Sequence, residues 1–133
     1  MKYYLAGPMS GYPQFNIPLF DSEATRLRNE GVDVVSPAEL DSEAVREESL
    51  ASTDGVFGGS DKIAGETWGD MLARDVKLIA DEVDGILVLP NWFESKGARL
   101  EVFVALLKGM PIKWAADMSD VTDAREKIYE SLL

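Results

Sequence analysis

The run Gly85-Ile86-Leu87-Val88-Leu89, opened by Asp84 and stopped by Pro90-Asn91, limits most strongly how this chain can fold. It is aliphatic at nearly every position and lacks the alternation of a strand with one wet face. It therefore predicts a central strand covered on both sides. Such a strand needs helices above and below it, and the flanking sequence supplies their patterns. Gly97 to Lys108 is helical in character with Gly109 as its stop, and Pro111-Ile112-Lys113-Trp114 reads as the next strand.

Upstream, Lys2 to Ala6 reads as a buried, aromatic-rich strand closed by Gly7-Pro8 and followed by the turn-forming Met9-Ser10-Gly11-Tyr12-Pro13. From Asn16, the residues Ile17, Phe20, Ala24 and Leu27 recur at helical spacing, with Pro18 tolerated in the first turn and Gly31 just past the end. Val32 to Val35 is a second strand, and Pro37 with the acidic run through Glu48 predicts a loop leading to a short helix. Ser49 to Thr67 is glycine-rich and aperiodic. It reads as a surface loop, and its length in a small domain suits a lid. Trp68, Leu72, Asp75 and Ile79 fall on one stripe of a helix over Thr67 to Asp81, and a last amphipathic helix spans Val121 to Leu132. The order β-α-β-α-α-β-α-β-α predicts a flavodoxin/Rossmann-like three-layer α/β sandwich with a parallel sheet of four to five strands, residues 1–133 forming a single domain. Ligands in such folds bind at the carboxyl ends of the strands.

The chain has 133 residues and neither cysteine nor histidine, so the usual zinc ligands, the thiolate and the commonest general base are all missing. Chemistry must rest on carboxylates, hydroxyls, Lys or Arg. No metal or cofactor is implied, since the acidic residues form no tight liganding pattern. A net charge of −11 repels nucleic-acid backbones, so polymeric nucleic acid is not an expected partner. The apolar runs are too short to span a bilayer and the amino-terminal stretch does not resemble a secretory signal, which leaves the cytoplasm as the expected location.

The loops Gly7 to Asn16, Ser36 onward and Asn91 to Lys96 should meet at one edge of the sheet. Asp75, Glu101, Ser10 and Ser95 are the candidate reactive groups there. Tyr4-Leu5-Ala6-Gly7-Pro8-Met9, the Asp75-to-Asp84 segment and Ser95-Lys96-Gly97-Ala98-Arg99-Leu100-Glu101, in that order, resemble the nucleoside 2-deoxyribosyltransferase-like superfamily. The likeness is nearest to its small phage and bacterial members of unassigned function and spans Lys2 to about Trp114. The same superfamily includes N-glycosidases of deoxynucleoside 5′-monophosphates.

The resemblance implies that Glu101 attacks the anomeric carbon, forming a glycosyl-enzyme ester that water then resolves. It implies that Asp75 holds the sugar and manages the proton on the departing base, and that Tyr4 touches the carboxylate or the sugar. Ser95 matches a phosphate-binding serine at a helix amino terminus, with Gly97 beside it and Lys96 or Arg99 adding charge. Gly7 and Ser10 belong to the loop after the first strand, where Pro8-Met9 departs from the pattern of nucleotide hydrolases. Trp68, Trp92, Tyr12 and Phe15 are candidates for stacking on a base, and Asn16 for a ligand contact.

Each residue also has a structural reading. Ala98, Glu101, Ala105 and Lys108 share one stripe that a solvated face would equally produce. Asp75 is also suited to pairing with Arg74 or capping a loop, Ser95 and Asn16 to capping helices, and Tyr4 to packing. The expected activity is hydrolysis of the base–sugar bond of a nucleoside 5′-monophosphate. The alternatives are transfer of the deoxyribosyl group to another base, or a non-catalytic nucleotide-binding protein. The expected partner is a small nucleoside or nucleotide, and the resemblance implies a homodimer or larger homo-oligomer, with the helix Leu100 to Leu107 a candidate interface. A dinucleotide reader is disfavoured, because Gly7-Pro8-Met9-Ser10-Gly11 is not Gly-x-Gly-x-x-Gly.

Overall fold

The central strand of the sheet is the aliphatic run, and everything else is arranged around it. The computed structural model describes residues 1–57 and 62–133. β1 (Lys2–Ala6), β2 (Asp33–Val35), β5 (Gly85–Val88) and β6 (Ile112–Trp114) form a parallel sheet in the order β2-β1-β5-β6. β5 is buried at all four positions. The register Leu5↔Leu87 and Ala6↔Val88 aligns the carboxyl ends of β1 and β5.

Side chains alternate across the sheet and define two cores. Leu5 and Leu87 point to one face, where they pack with Ile17, Phe20, Ala24 and Leu27 of α1 (Ile17–Asn29) and Val45 of α2 (Glu43–Leu50). Tyr4, Ala6, Ile86 and Val88 point to the other. There they meet Ile79 of α3 (Trp68–Asp81), Ala98, Val102 and Ala105 of α4 (Lys96–Lys108), and Ile128 of α5 (Ala124–Ser131). The result is the three-layer α/β fold expected from the sequence, with four strands in its main sheet. Among the described residues no helix is long and apolar enough to cross a membrane.

The chain leaves β1, returns beside it as β2, and later places β5 on the opposite side of β1. The gap between the β1 and β5 ends is thus a topological switch point, where open α/β sheets form their ligand crevice.

The structure differs from the sequence reading in four places. Ser49 lies inside α2, so the segment thought irregular begins as helix. Its far end is a two-stranded antiparallel hairpin, β3 (Lys62–Ile63) with β4 (Glu66–Thr67); residues 58–61 of the expected loop fall outside the described part. Two-residue strands have no periodicity to read. The last helix runs over Ala124–Ser131 and is shorter than expected at both ends. Finally, Asn16 does not cap α1 with its side chain: Gln14, Phe15 and Asn16 all have left-handed backbone, with φ of 56°, 51° and 61°. Each such residue costs roughly 1–2 kcal/mol, and bonds from outside the turn hold it. Gln14 N–H donates to the Ser52 carbonyl and its side-chain amide to the Leu50 carbonyl. Asn16 Nδ2 donates to the Pro8 carbonyl at 2.8 Å.

Candidate active site

Glycine at position 7 is set by close packing. A Cβ there would sit 2.8 Å from Leu89 Cβ, so only glycine lets the β1 loop lie against the end of β5. Gly7 lines a cavity of about 540 Å³ above the switch point, within the range of small-molecule sites. All three loops expected at this edge contribute to its wall, and the two helices α3 and α4 close its side.

Three reactive side chains share its floor. Tyr4 on β1 is fully buried and donates its hydroxyl proton to Glu101 Oε2 at 2.5 Å. Glu101 on α4 is only 6% exposed, so the solvated-face reading of its stripe does not hold. Asp75, two turns into α3, is 8% exposed and faces the same tyrosine hydroxyl. Arg74 Nε donates to Asp75 Oδ1 at 2.9 Å, and Arg74 Nη1 donates to Asp41 Oδ1 at 2.7 Å. The pairing with Arg74 considered as the structural role of Asp75 therefore exists, inside the cavity.

Protonation follows from this crowding. Burial, and then the charge of Asp75, push the Glu101 carboxyl up from its ordinary 4.5 to about 8, against the opposing pull of Tyr4 and Arg74. Burial also raises Asp75, while Arg74 and then Tyr4 draw it back down. Tyr4 lies well above the ordinary range of a phenol, chiefly through burial and then the two carboxylates. At neutral pH the Asp75–Glu101 pair thus keeps one proton, with Tyr4 bonded to one carboxyl and facing the other.

At the opposite end, Ser95 caps α4 and accepts from the Ala98 N–H at 3.2 Å. Its capping role is real, and its hydroxyl proton is still free to serve a ligand, because capping uses only an acceptor lone pair. The first-turn amides of Lys96 and Gly97 have no intrahelical carbonyl to bond, and Ser95, Lys96 and Gly97 all line the cavity. Ser10 lies on the facing loop. Arg99 does not join them, since it is turned onto the Phe93 carbonyl.

Among the aromatic candidates, Trp68 stands half exposed on the cavity rim and Phe15 lines the wall, edge-on to Phe57 with ring centroids 5.7 Å apart. Trp92 is buried in the α4 core, and Tyr12 is not on the wall. Nor is Asn16, whose amide braces the loop from behind. Asp41, Ser49, Phe57, Ile63, Met71 and Glu94 line the cavity without having been singled out from sequence. The aperiodic stretch that contains Phe57 and Ile63 gave no signal for them.

A family profile described as Domain of unknown function (DUF4406) matches residues 1–114. The chain belongs to this DUF4406 family. The matched span contains every residue of the cavity wall and ends at the last residue of β6, before α5. No curated protein and no solved structure matches the chain.

Proposed function

We propose that this protein is a cytoplasmic N-glycosidase that hydrolyses the base–sugar bond of a deoxynucleoside 5′-monophosphate. The observation that carries the reading is the buried Tyr4–Glu101–Asp75 group on the floor of a cavity whose other end is a helix amino terminus. A nucleotide has matching parts: a bond that carboxylates can cleave, a flat base and an anion. The resemblance of the Ser95-to-Glu101 and Tyr4-to-Met9 segments to the nucleoside 2-deoxyribosyltransferase-like superfamily supports the same assignment.

In this mechanism Glu101 attacks the anomeric carbon as the base leaves, and Asp75 gives the base its proton. One proton is all that is needed, and the resting pair holds one. It passes from Glu101 to Asp75 when the Tyr4 hydroxyl, which donates to Glu101 at rest, turns toward Asp75, giving that carboxylate its own proton and accepting the one from Glu101. The bond from carbon to base nitrogen breaks, the ester to Glu101 forms, and water then cleaves the ester, returning its proton to the pair and releasing deoxyribose 5-phosphate. The phosphate rests on Ser95, Lys96 and the free amides of α4, and the base lies among Trp68, Phe15 and the apolar wall.

The exposed Leu100, Phe103 and Leu107 on α4 support a homodimer or larger oligomer, since they are apolar and lie on one side of the helix. A panel of nucleosides and nucleoside monophosphates, followed by chromatography with and without a second free base, tests the activity. Free base and deoxyribose 5-phosphate are expected. Exchange of bases without net hydrolysis would point to a transferase, and no turnover on any member would overturn both.

A further inference from the structure

Among the described residues, the cavity wall carries four acidic side chains, Asp41, Asp75, Glu94 and Glu101, and two basic ones, Arg74 and Lys96. Arg74 is the natural candidate for holding a phosphate, yet each of its three nitrogens already donates one bond within the protein, two of them to carboxylates. Adjacent residues on a helix point about 100° apart, so Arg74 and Asp75 do not face each other by default. The arginine reaches its neighbour only by curling back along α3. There Nε meets Asp75 Oδ1 at 2.9 Å, Nη1 meets Asp41 Oδ1 at 2.7 Å and Nη2 points at the Pro37 carbonyl at 3.4 Å. The Asp41 side chain is 7% exposed, so this second arm is itself buried. A guanidinium spread across two carboxylates from separate elements acts as a clamp, because its planar fork fixes both partners in direction as well as distance.

We propose that Arg74 is a positioning residue, anchored by Asp41 and the Pro37 carbonyl, that fixes the Asp75 carboxylate facing Tyr4 and Glu101. The assignment rests on the glycosidase reading for its catalytic consequence, though not for its electrostatic one. The groups facing Asp75 are Tyr4 from β1, Glu101 from α4, Arg74 from its own helix and Asp41 from the loop before α2. Of these only Arg74 is a cation. Without it, Asp75 and Glu101 would share a water-poor floor with no counter-charge, and both would hold their protons to higher pH. It also follows that, among the described residues of this wall, Lys96 is the side-chain cation left for the phosphate, Arg74 being paired with two carboxylates and Arg99 turned away.

The test uses the whole protein as Arg74→Gln and Arg74→Lys, with two readouts. Carboxyl-carbon NMR titration needs no substrate, and the pH dependence of base release needs turnover. In Arg74→Gln the titrations of Asp75 and Glu101 should move up by about one pH unit or more. Both limbs of the rate profile should follow. Arg74→Lys should restore most of the titration, since the charge is kept. Its kcat should still be at least about tenfold low at little change in KM, since the fork is lost. Wild-type titration in Arg74→Gln, or full turnover in Arg74→Lys, would overturn the proposal. If Arg74→Gln does not fold, a native titration with depressed kcat in Arg74→Lys supports it and full kcat refutes it. A wild-type protein that releases no base from any nucleotide would defeat the glycosidase reading alone, because the titration still decides whether Arg74 governs Asp75.

Discussion

Replacing Glu101 with Gln should make the protein more stable, by an amount that grows with pH. The side chain is nearly inaccessible and its carboxyl is pushed from 4.5 to about 8, so the folded state holds a proton that the unfolded state has released. Between those two values stability therefore falls as pH rises, and it levels off above about 8. With each pH unit of displacement equal to 1.36 kcal/mol, the buried carboxyl lowers stability by about 3 kcal/mol at pH 7, where the fold keeps it protonated, and by about 5 kcal/mol at pH 9, where it is buried ionised. Glutamine keeps the shape and an oxygen for the Tyr4 hydroxyl but has no charge to bury. Urea denaturation of both proteins from pH 4 to pH 9 measures the difference directly. The two curves should lie close together near pH 4.5 and separate by several kcal/mol at pH 9, with the variant the more stable. A difference that does not change with pH would refute the reasoning, for Glu101 would then titrate like an exposed carboxyl.

Other substitutions separate packing from binding. Gly7→Ala should cost about 1–3 kcal/mol in thermal denaturation, because its Cβ meets Leu89 at 2.8 Å where neither chain can retreat. Ser95→Ala should lower stability by about 0.5–2 kcal/mol as a lost cap. In steady-state kinetics it should raise KM for a nucleoside monophosphate while leaving the unphosphorylated nucleoside nearly unaffected. Trp68→Ala should raise KM several-fold with kcat nearly unchanged, and the half-exposed ring should leave the melting temperature within a few degrees.

Burial pattern and helix punctuation are legible in the sequence alone. The aliphatic run is the buried β5, and Gly109 ends α4 in the left-handed conformation, at a φ of 71°. Gly7, Ser10, Ser95, Gly97, Trp68, Asp75, Tyr4 and Glu101 all reach one cavity. What escaped was fixed by partners far along the chain. The left-handed turn at Gln14 to Asn16 depends on carbonyls of Leu50 and Ser52, which no local propensity encodes. Asp41 looks like any member of an acidic run whose other members, Glu39, Glu43, Glu47 and Glu48, are exposed. Only Arg74, from another helix, distinguishes it. The stripe of Glu101 was ambiguous for a similar reason, since a polar residue over a sheet end and one in solvent have the same spacing.

The most direct test of Glu101 as nucleophile is to trap the ester. The protein is mixed with a deoxynucleoside 5′-monophosphate, quenched in acid within the first turnovers, digested, and read by mass spectrometry. A deoxyribosyl phosphate adduct on Glu101, lost in Glu101→Ala, is the expected result. Release of base with the adduct on Asp75, or with no adduct and full activity in Glu101→Ala, would contradict it.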